Sequence, residues 1–140
     1  MRDNISLLFP AISENESLAR TVAAVCASKL NPTVEQLSDI KTAVSEAVTN
    51  CIVHGYEDGE GDIEMQIGIE GNELMISITD NGRGIADIEL AMQPFYTTRP
   101  QDERSGIGFM MMQSFMDEVT VQSQVGVGTT VTMRKFIQPT

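Results

Sequence analysis

Tryptophan is absent from this chain, and cysteine, histidine and basic residues are scarce. Two cysteines and one histidine are too few for the four ligands of a structural zinc site. Cys26 and Cys51 both fall on the apolar side of helix-like patterns and read as reduced core thiols, which points to a cytoplasmic protein. No apolar run approaches the roughly 20 residues of a transmembrane helix. The opening MRDNISLLFP also lacks a signal-peptide core, so no membrane association is expected. Nine Lys and Arg face twenty Asp and Glu, for a net charge of −11. Such a field repels phosphodiester backbones and anionic lipid surfaces, which excludes general, direct nucleic-acid binding. Several catalytic signatures are missing as well. There is no G-x-x-x-x-G-K-[ST] loop, no G-x-G-x-x-G after a strand, and no H-R-D or D-F-G.

What is present fits one domain spanning residues 1–140. A chain of this size buries about 68–70% of its unfolded surface and needs no covalent staple. Ile5 to Phe9, bounded by Pro10, reads as an edge strand. Ser13 with Glu16 forms a capping-box signature, and Leu18, Val22, Val25, Cys26 and Leu30 follow at helical spacing. Thr33 with Gln36 repeats the signal ahead of a helix whose buried stripe is Leu37, Ile40, Val44, Ala47, Val48 and Cys51, ending near Gly55. Ile63, Met65, Ile67 and Ile69 alternate with polar neighbours, as do Leu74, Ile76 and Ile78 beyond the Gly71-Asn72 turn. That pattern predicts a hairpin with one buried face. Periodicity weakens from Gly82 to Gly106. A helix over about Gly108 to Met116 and strands near Val119–Ser123 and Thr130–Phe136 complete the chain. The order predicts an α/β fold: a two-layer sandwich with a mixed, mostly antiparallel sheet and helices on one face.

Four short pieces carry possible chemistry. Glu46, Asn50 and His54 recur at i, i+4, i+8 along one side of a helix. A carboxylate one turn from an amide suits a general base beside a metal or water ligand; the same spacing also fits a solvated helix face. Asp80-Asn-Gly-Arg-Gly84 follows a strand, where a fixed carboxylate could accept a hydrogen bond from an exocyclic amine, or simply close a turn. Ser105-Gly106-Ile107-Gly108 opens a helix, where free N–H groups can hold phosphate oxygens. Gly126-Val-Gly128-Thr129-Thr130 is a turn between the last two strands.

Taken in order, E-x-x-x-N, D-x-G-x-G, a weakly patterned connection, G-x-G and G-x-G-T-T resemble the GHKL superfamily of ATPases and kinases, which includes DNA gyrase, histidine kinases and MutL. Its ATP-binding (Bergerat) fold is the sandwich inferred above. SEAVTNCIVHGY, DNGRGI, TTRPQDERSGIGF and VGVGTTVTMRK narrow the likeness. They resemble the bacterial anti-sigma factors with serine protein kinase activity, in particular the anti-sigma F factors of sporulating bacteria, over about Leu7 to Lys135.

The resemblance implies ATP and Mg²⁺ as cofactors. It makes Glu46 the general base that polarises a serine hydroxyl and Asn50 the protein ligand of Mg²⁺. Asp80 would recognise the adenine amine, directly and through water, with Thr130 nearby. Gly82 and Gly84 would let the base approach, and Ser105, Gly106, Ile107 and Gly108 would face the phosphates beneath a lid over about residues 86–105. Arg104 is a candidate phosphate-facing cation, or a solvated lid arginine. The implied partners are a sigma factor, an anti-anti-sigma protein as phosphorylation substrate, and a second copy in a homodimer. No phospho-acceptor helices are expected, so the substrate is a separate protein, and His54 is not a phosphorylated histidine. Glu16 and Arg20, one turn apart, are an i,i+4 pair or a partner contact. Two alternatives remain: the same chemistry directed at a stress-response sigma factor, and a nucleotide-dependent sigma-binding holdase without kinase activity.

Overall fold

A computed structural model of the chain describes residues 2–93 and 108–138. Alternating apolar residues produce the sheet. β1 (Arg2–Pro10), β2 (Asp62–Glu70), β3 (Glu73–Asp80), β4 (Glu118–Gln124) and β5 (Gly128–Phe136) pair in the order β1-β2-β3-β5-β4. The predicted edge strand is β1, longer than its apolar core. The predicted hairpin is β2–β3, with Ile63, Met65, Ile67, Ile69, Leu74, Ile76 and Ile78 buried on one face. All pairings among the described residues are antiparallel, so the parallel component of a mixed sheet is not found there.

The helices α1 (Glu14–Ala27), α2 (Val34–Asn50), α3 (Ile88–Ala91) and α4 (Gly108–Phe115) form the second layer, and buried side chains of both layers join in one hydrophobic cluster. Among the described residues no helix is long and apolar enough to cross a membrane. Of the methionines gathered near α4, Met112 and Met116 are core residues, while Met92, Met110 and Met111 are half-buried.

Two expectations about α1 are corrected. Ser13 makes no side-chain cap and has helical backbone angles. Glu16, its intended partner, instead accepts a hydrogen bond from Thr49 on α2 (3.1 Å) and pairs with Arg20 (3.5 Å). A long-range contact has outcompeted the local one. The buried stripe is also rotated. Ala19, Ala23, Cys26 and Ala27 face the core, whereas Leu18 is 43% and Val25 65% exposed. The small alanines let α1 lie close against α2, and the larger residues turn outward.

α2 follows its sequence closely. Thr33 accepts from the Gln36 N–H (3.0 Å) and the Gln36 side chain accepts from the Thr33 N–H (2.8 Å), a complete capping box. The stripe Ile40, Val44, Ala47, Val48 and Cys51 is buried. The helix then changes pitch: Cys51–Gly55 is a π turn, closed by Tyr56 N–H to the Cys51 carbonyl at 2.9 Å, and it ends at the predicted Gly55. Such turns re-aim the side chains they carry.

The two caps differ in what a mutation should do. Thr33→Ala is expected to cost about 1 kcal/mol, the usual worth of an N-cap, and Ser13→Ala close to nothing. Urea unfolding of both variants checks this; equal losses would contradict the assignment of the caps.

Candidate functional site

The last residue of β3, Asp80, is 4% exposed although it carries a carboxyl group. Strand parity points it to the helix side of the sheet, with Ile76 and Ile78. Three donors meet it there: the Gly82 N–H at 2.8 Å, the Cys51 thiol and the Thr129 N–H. Burial still raises its pKa above the ordinary 3.8, with these three hydrogen bonds opposing the rise. Burial, together with the adjacent Asp80 charge, holds the Cys51 thiol well above its own usual range. Tyr56 is raised as well, chiefly by burial; its hydroxyl donates to the Asp62 carbonyl (2.6 Å) and accepts from the Asn81 N–H (2.7 Å), tying the turn after α2 to the end of β3.

Asp80 lines a cavity of about 550 Å³, within the range of small-molecule sites. Its walls are mainly apolar, with Ile85, Leu90, Phe109, Val125 and Val131 among them, and its polar groups include Asn50, His54, Asp80 and Thr129. The fold closes tightly behind the carboxylate. A Cβ on Gly55 would lie 2.9 Å from the Asp80 side chain, and one on Gly82 would lie 2.2 Å from the Gly55 carbonyl oxygen. Gly84, at φ +77°, sits against the Gln124 backbone. These close approaches hold the backbone around the carboxylate, and Gly55 and Gly84 also line the cavity.

Thr130 is a correction. In the β3–β5 register Asp80 faces Thr129, while Thr130 faces Thr79 on the opposite side of the sheet and shares a hydrogen bond of 2.9 Å with it. Thr129, not Thr130, lines the cavity. The period of two decides the matter, and a one-residue error changes faces. Thr129 is held further by Ser123 (2.7 Å), whose hydroxyl also accepts from the Ile85 N–H (2.7 Å).

α2 places its three polar residues unequally. Asn50 and His54 line the cavity. Glu46 is 5% exposed and borders a separate, open groove between α1 and α2, which Arg20, Lys41 and Ser45 also line. A solvated helix face is thereby excluded for Glu46. Gly108, the first residue of α4, packs on Asn50, with a Cβ there falling 3.0 Å from the Asn50 amide oxygen. Glu16 and Arg20 are half-buried and stitch α1 to α2, since Arg20 also reaches the Ser45 hydroxyl at 3.5 Å. Arg104, Ser105, Gly106 and Ile107, like the lid beyond residue 93, lie outside the described residues. Sequence reasoning missed Thr129 as the inward threonine and Cys51 as a partner of Asp80. The G-x-G-T-T motif contained the first; only the π turn exposes the second.

Comparison with known proteins agrees with this geometry. The family profile of the histidine kinase-like ATPase domain matches residues 9–135. The anti-sigma F factor of Thermoanaerobacter sp. (strain X514) is 56% identical over 133 residues, covering 95% of this chain and 93% of that protein. That of Geobacillus sp. (strain WCH70) is 51% identical over 138 residues, covering 98% and 94%. Among solved structures, the catalytic domain of the histidine kinase ThkA aligns with a TM-score of 0.61, covering 95% of this chain and 96% of that one. At 16% identity, that likeness speaks to the fold alone.

The raised Asp80 has a consequence for stability. Between the ordinary value of 3.8 and the higher native value, the folded chain binds a proton that the unfolded chain has released. The contribution of Asp80 to stability therefore falls as pH rises through that window and stays low above it. Asp80→Asn cannot ionise and escapes the fall. Its stability relative to the parent should rise from the acid side of the window to neutrality in paired urea titrations. A constant or shrinking difference would show that the carboxylate is not held against ionisation.

Proposed function

The chain belongs to the histidine kinase-like ATPase family and stands within it among the anti-sigma F factors, and from that premise we propose that it binds and inhibits a sporulation sigma factor and uses MgATP to phosphorylate a serine on its anti-anti-sigma antagonist. The observation that carries this reading is the division of α2. One helix presents Asn50 to the cavity and, one turn earlier, the buried carboxylate of Glu46 to the neighbouring groove. A nucleotide in the cavity and a hydroxyl entering by the groove would meet at that wall. Phosphoryl transfer asks mainly for such alignment, with charge neutralisation and a base.

Within this reading Asp80 accepts the adenine amine in the cavity, with Thr129 beside it in the place first expected of Thr130. The Asn50 amide oxygen is a hard donor of the kind Mg²⁺ takes alongside phosphate oxygens and water. The ion, when bound, supplies positive charge to the phosphates. Gly108 and the start of α4, with Ser105, Gly106 and Ile107 before it, offer N–H groups to the phosphates. Arg104 adds a cation under a lid over about residues 86–105. Glu46 would take the serine proton as the serine oxygen bonds to the γ-phosphorus and the bond to ADP breaks. Ile12, Leu18 and Val25, at 46%, 43% and 65% exposure, leave apolar area around α1 that suits a protein partner or a second copy. Glu16 and Arg20 stand at the edge of that region as partner contacts. The setting is the bacterial cytoplasm. A carboxylate at Glu46, one turn before Asn50, favours the kinase over a nucleotide-dependent holdase, because nucleotide binding alone would not demand one there.

Incubating the protein with MgATP and candidate anti-anti-sigma proteins of sporulation and of stress response should give phosphoserine on a sporulation antagonist, read by mass spectrometry. Glu46→Gln is expected to bind ATP normally and to lose transfer by about 10²-fold or more. No phosphoserine on any candidate would leave the holdase, and modification of a stress-response antagonist alone would redirect the pathway. The threonine correction has its own check. Thr129→Val should weaken ATP binding by about two- to tenfold, the worth of one hydrogen bond, while Thr130→Val leaves it unchanged. Calorimetry with the opposite ranking would restore Thr130 to the site.

A further inference from the structure

Cys51 is a buried side chain with no assigned part in nucleotide binding, yet it reaches the group that would read the base. It lies at the start of the π turn, is 3% exposed, lines the cavity, and donates its thiol proton to Asp80. The other two donors to that carboxylate, the Gly82 and Thr129 N–H groups, are backbone and fixed by the fold. No Cβ can enter from Gly55, where it would stand 2.9 Å from the carboxylate. Cys51 is thus the side chain through which the orientation of Asp80 can be set.

A carboxylate offers about four lone-pair positions. The donors already directed at Asp80 use part of that capacity, and the rest is open to a ligand in the cavity that Asp80 lines. We propose that Cys51 is a positioning residue that sets purine selectivity, its thiol holding Asp80 so that an open lone pair faces a 6-amino group. The proposal rests on the reading of Asp80 as the amine acceptor. A hydrogen bond to an ionised acceptor is stronger than a neutral one, so even a weak S–H donor contributes here. Removing it opens a further position on the carboxylate, which water or a different ligand edge can occupy. Discrimination against a 6-oxo purine then falls, because the acceptor is no longer confined to one geometry.

The test uses the full chain and three nucleotides: ATP, its 6-oxo analogue inosine triphosphate, and purine riboside triphosphate, which has no 6-substituent. Affinities are measured by calorimetry for the parent, Cys51→Ala, Cys51→Ser and Asp80→Asn. Cys51→Ala should lose about fivefold or more of the ATP-over-inosine preference, the scale of one hydrogen bond, while its affinity for purine riboside triphosphate holds. Cys51→Ser, which keeps a donor, should recover most of the preference. An alanine variant as selective as the parent overturns the proposal alone. So does an equal loss for all three nucleotides, which marks a purely structural role, or a serine variant no better than alanine. A parent chain that does not distinguish ATP from the inosine nucleotide, or an Asp80→Asn variant that is equally selective, overturns the reading of Asp80 and the proposal with it.

Discussion

Desolvating a carboxylate costs several kcal/mol even after the protein relaxes around it, and this fold places that burden at the inner end of its central strand, on Asp80. Much of the local architecture is the response. The π turn brings Cys51 to the carboxylate, the chain doubles back so that the Gly82 N–H can reach it, and β5 pairs in the register that offers the Thr129 N–H. Gly55 has no side chain because the carboxylate fills the space where one would stand. Tyr56 then ties the adjoining turn to Asn81 and Asp62. A structural aspartate in this position would be an expensive way to end a strand. On the proposed reading, the expense keeps an acceptor in waiting for a donor from outside.

The same constraint explains what could and could not be read from the sequence. Period-two and period-3.6 patterns located β2, β3 and α2, because in those elements the buried face is also the apolar face. They misjudged α1, where the inner face is alanine and the outer carries Leu18 and Val25. Close helix packing selects small residues, and hydrophobicity alone does not report that. The Ser13 cap failed because Glu16 finds Thr49, a partner 33 residues away, and local signals hold no information about such contacts. In the Gly-Thr-Thr motif the residue types were legible but their faces were not, because parity depends on register with β3. Cys51 looked like core because it is core; its second role depends on a helical pitch that composition does not specify.

α2 also shows how one helix serves two compartments. Residues one turn apart on a helix share a side, but each can be covered by a different neighbour. Asn50 is packed by Gly108 of α4 and opens to the cavity, while Glu46 lies along the groove formed with α1. Between them the helix backbone is a rigid spacer of about 6 Å, four residues of 1.5 Å rise. For a reaction that joins a hydroxyl to a phosphorus atom, a rigid spacer is more useful than a loop, since misplacement by an ångström is costly in rate. The contacts of Glu16 with Thr49 and of Arg20 with Ser45 hold α1 to this wall. The groove that would admit a protein substrate is therefore braced by the same side chains that stand near its mouth.

Charge sets the last condition on any phosphate-bearing ligand. The chain carries −11 overall, and Arg83, the one Lys or Arg among the described residues that line the cavity, donates to the His54 carbonyl at 2.9 Å and pairs with Glu57 at 3.7 Å. Its position is thus set by the backbone at the end of the π turn. The N-terminus of α4 would add partial positive charge, but a helix end supplies only about half an elementary charge. A nucleotide triphosphate carries several negative charges, so the described part of the site cannot balance it alone. In such a field a divalent cation becomes part of the binding unit, and the metal complex of the nucleotide is favoured over the bare anion. On the proposed reading, the acidity that excludes polynucleotides also selects the form in which the nucleotide is bound.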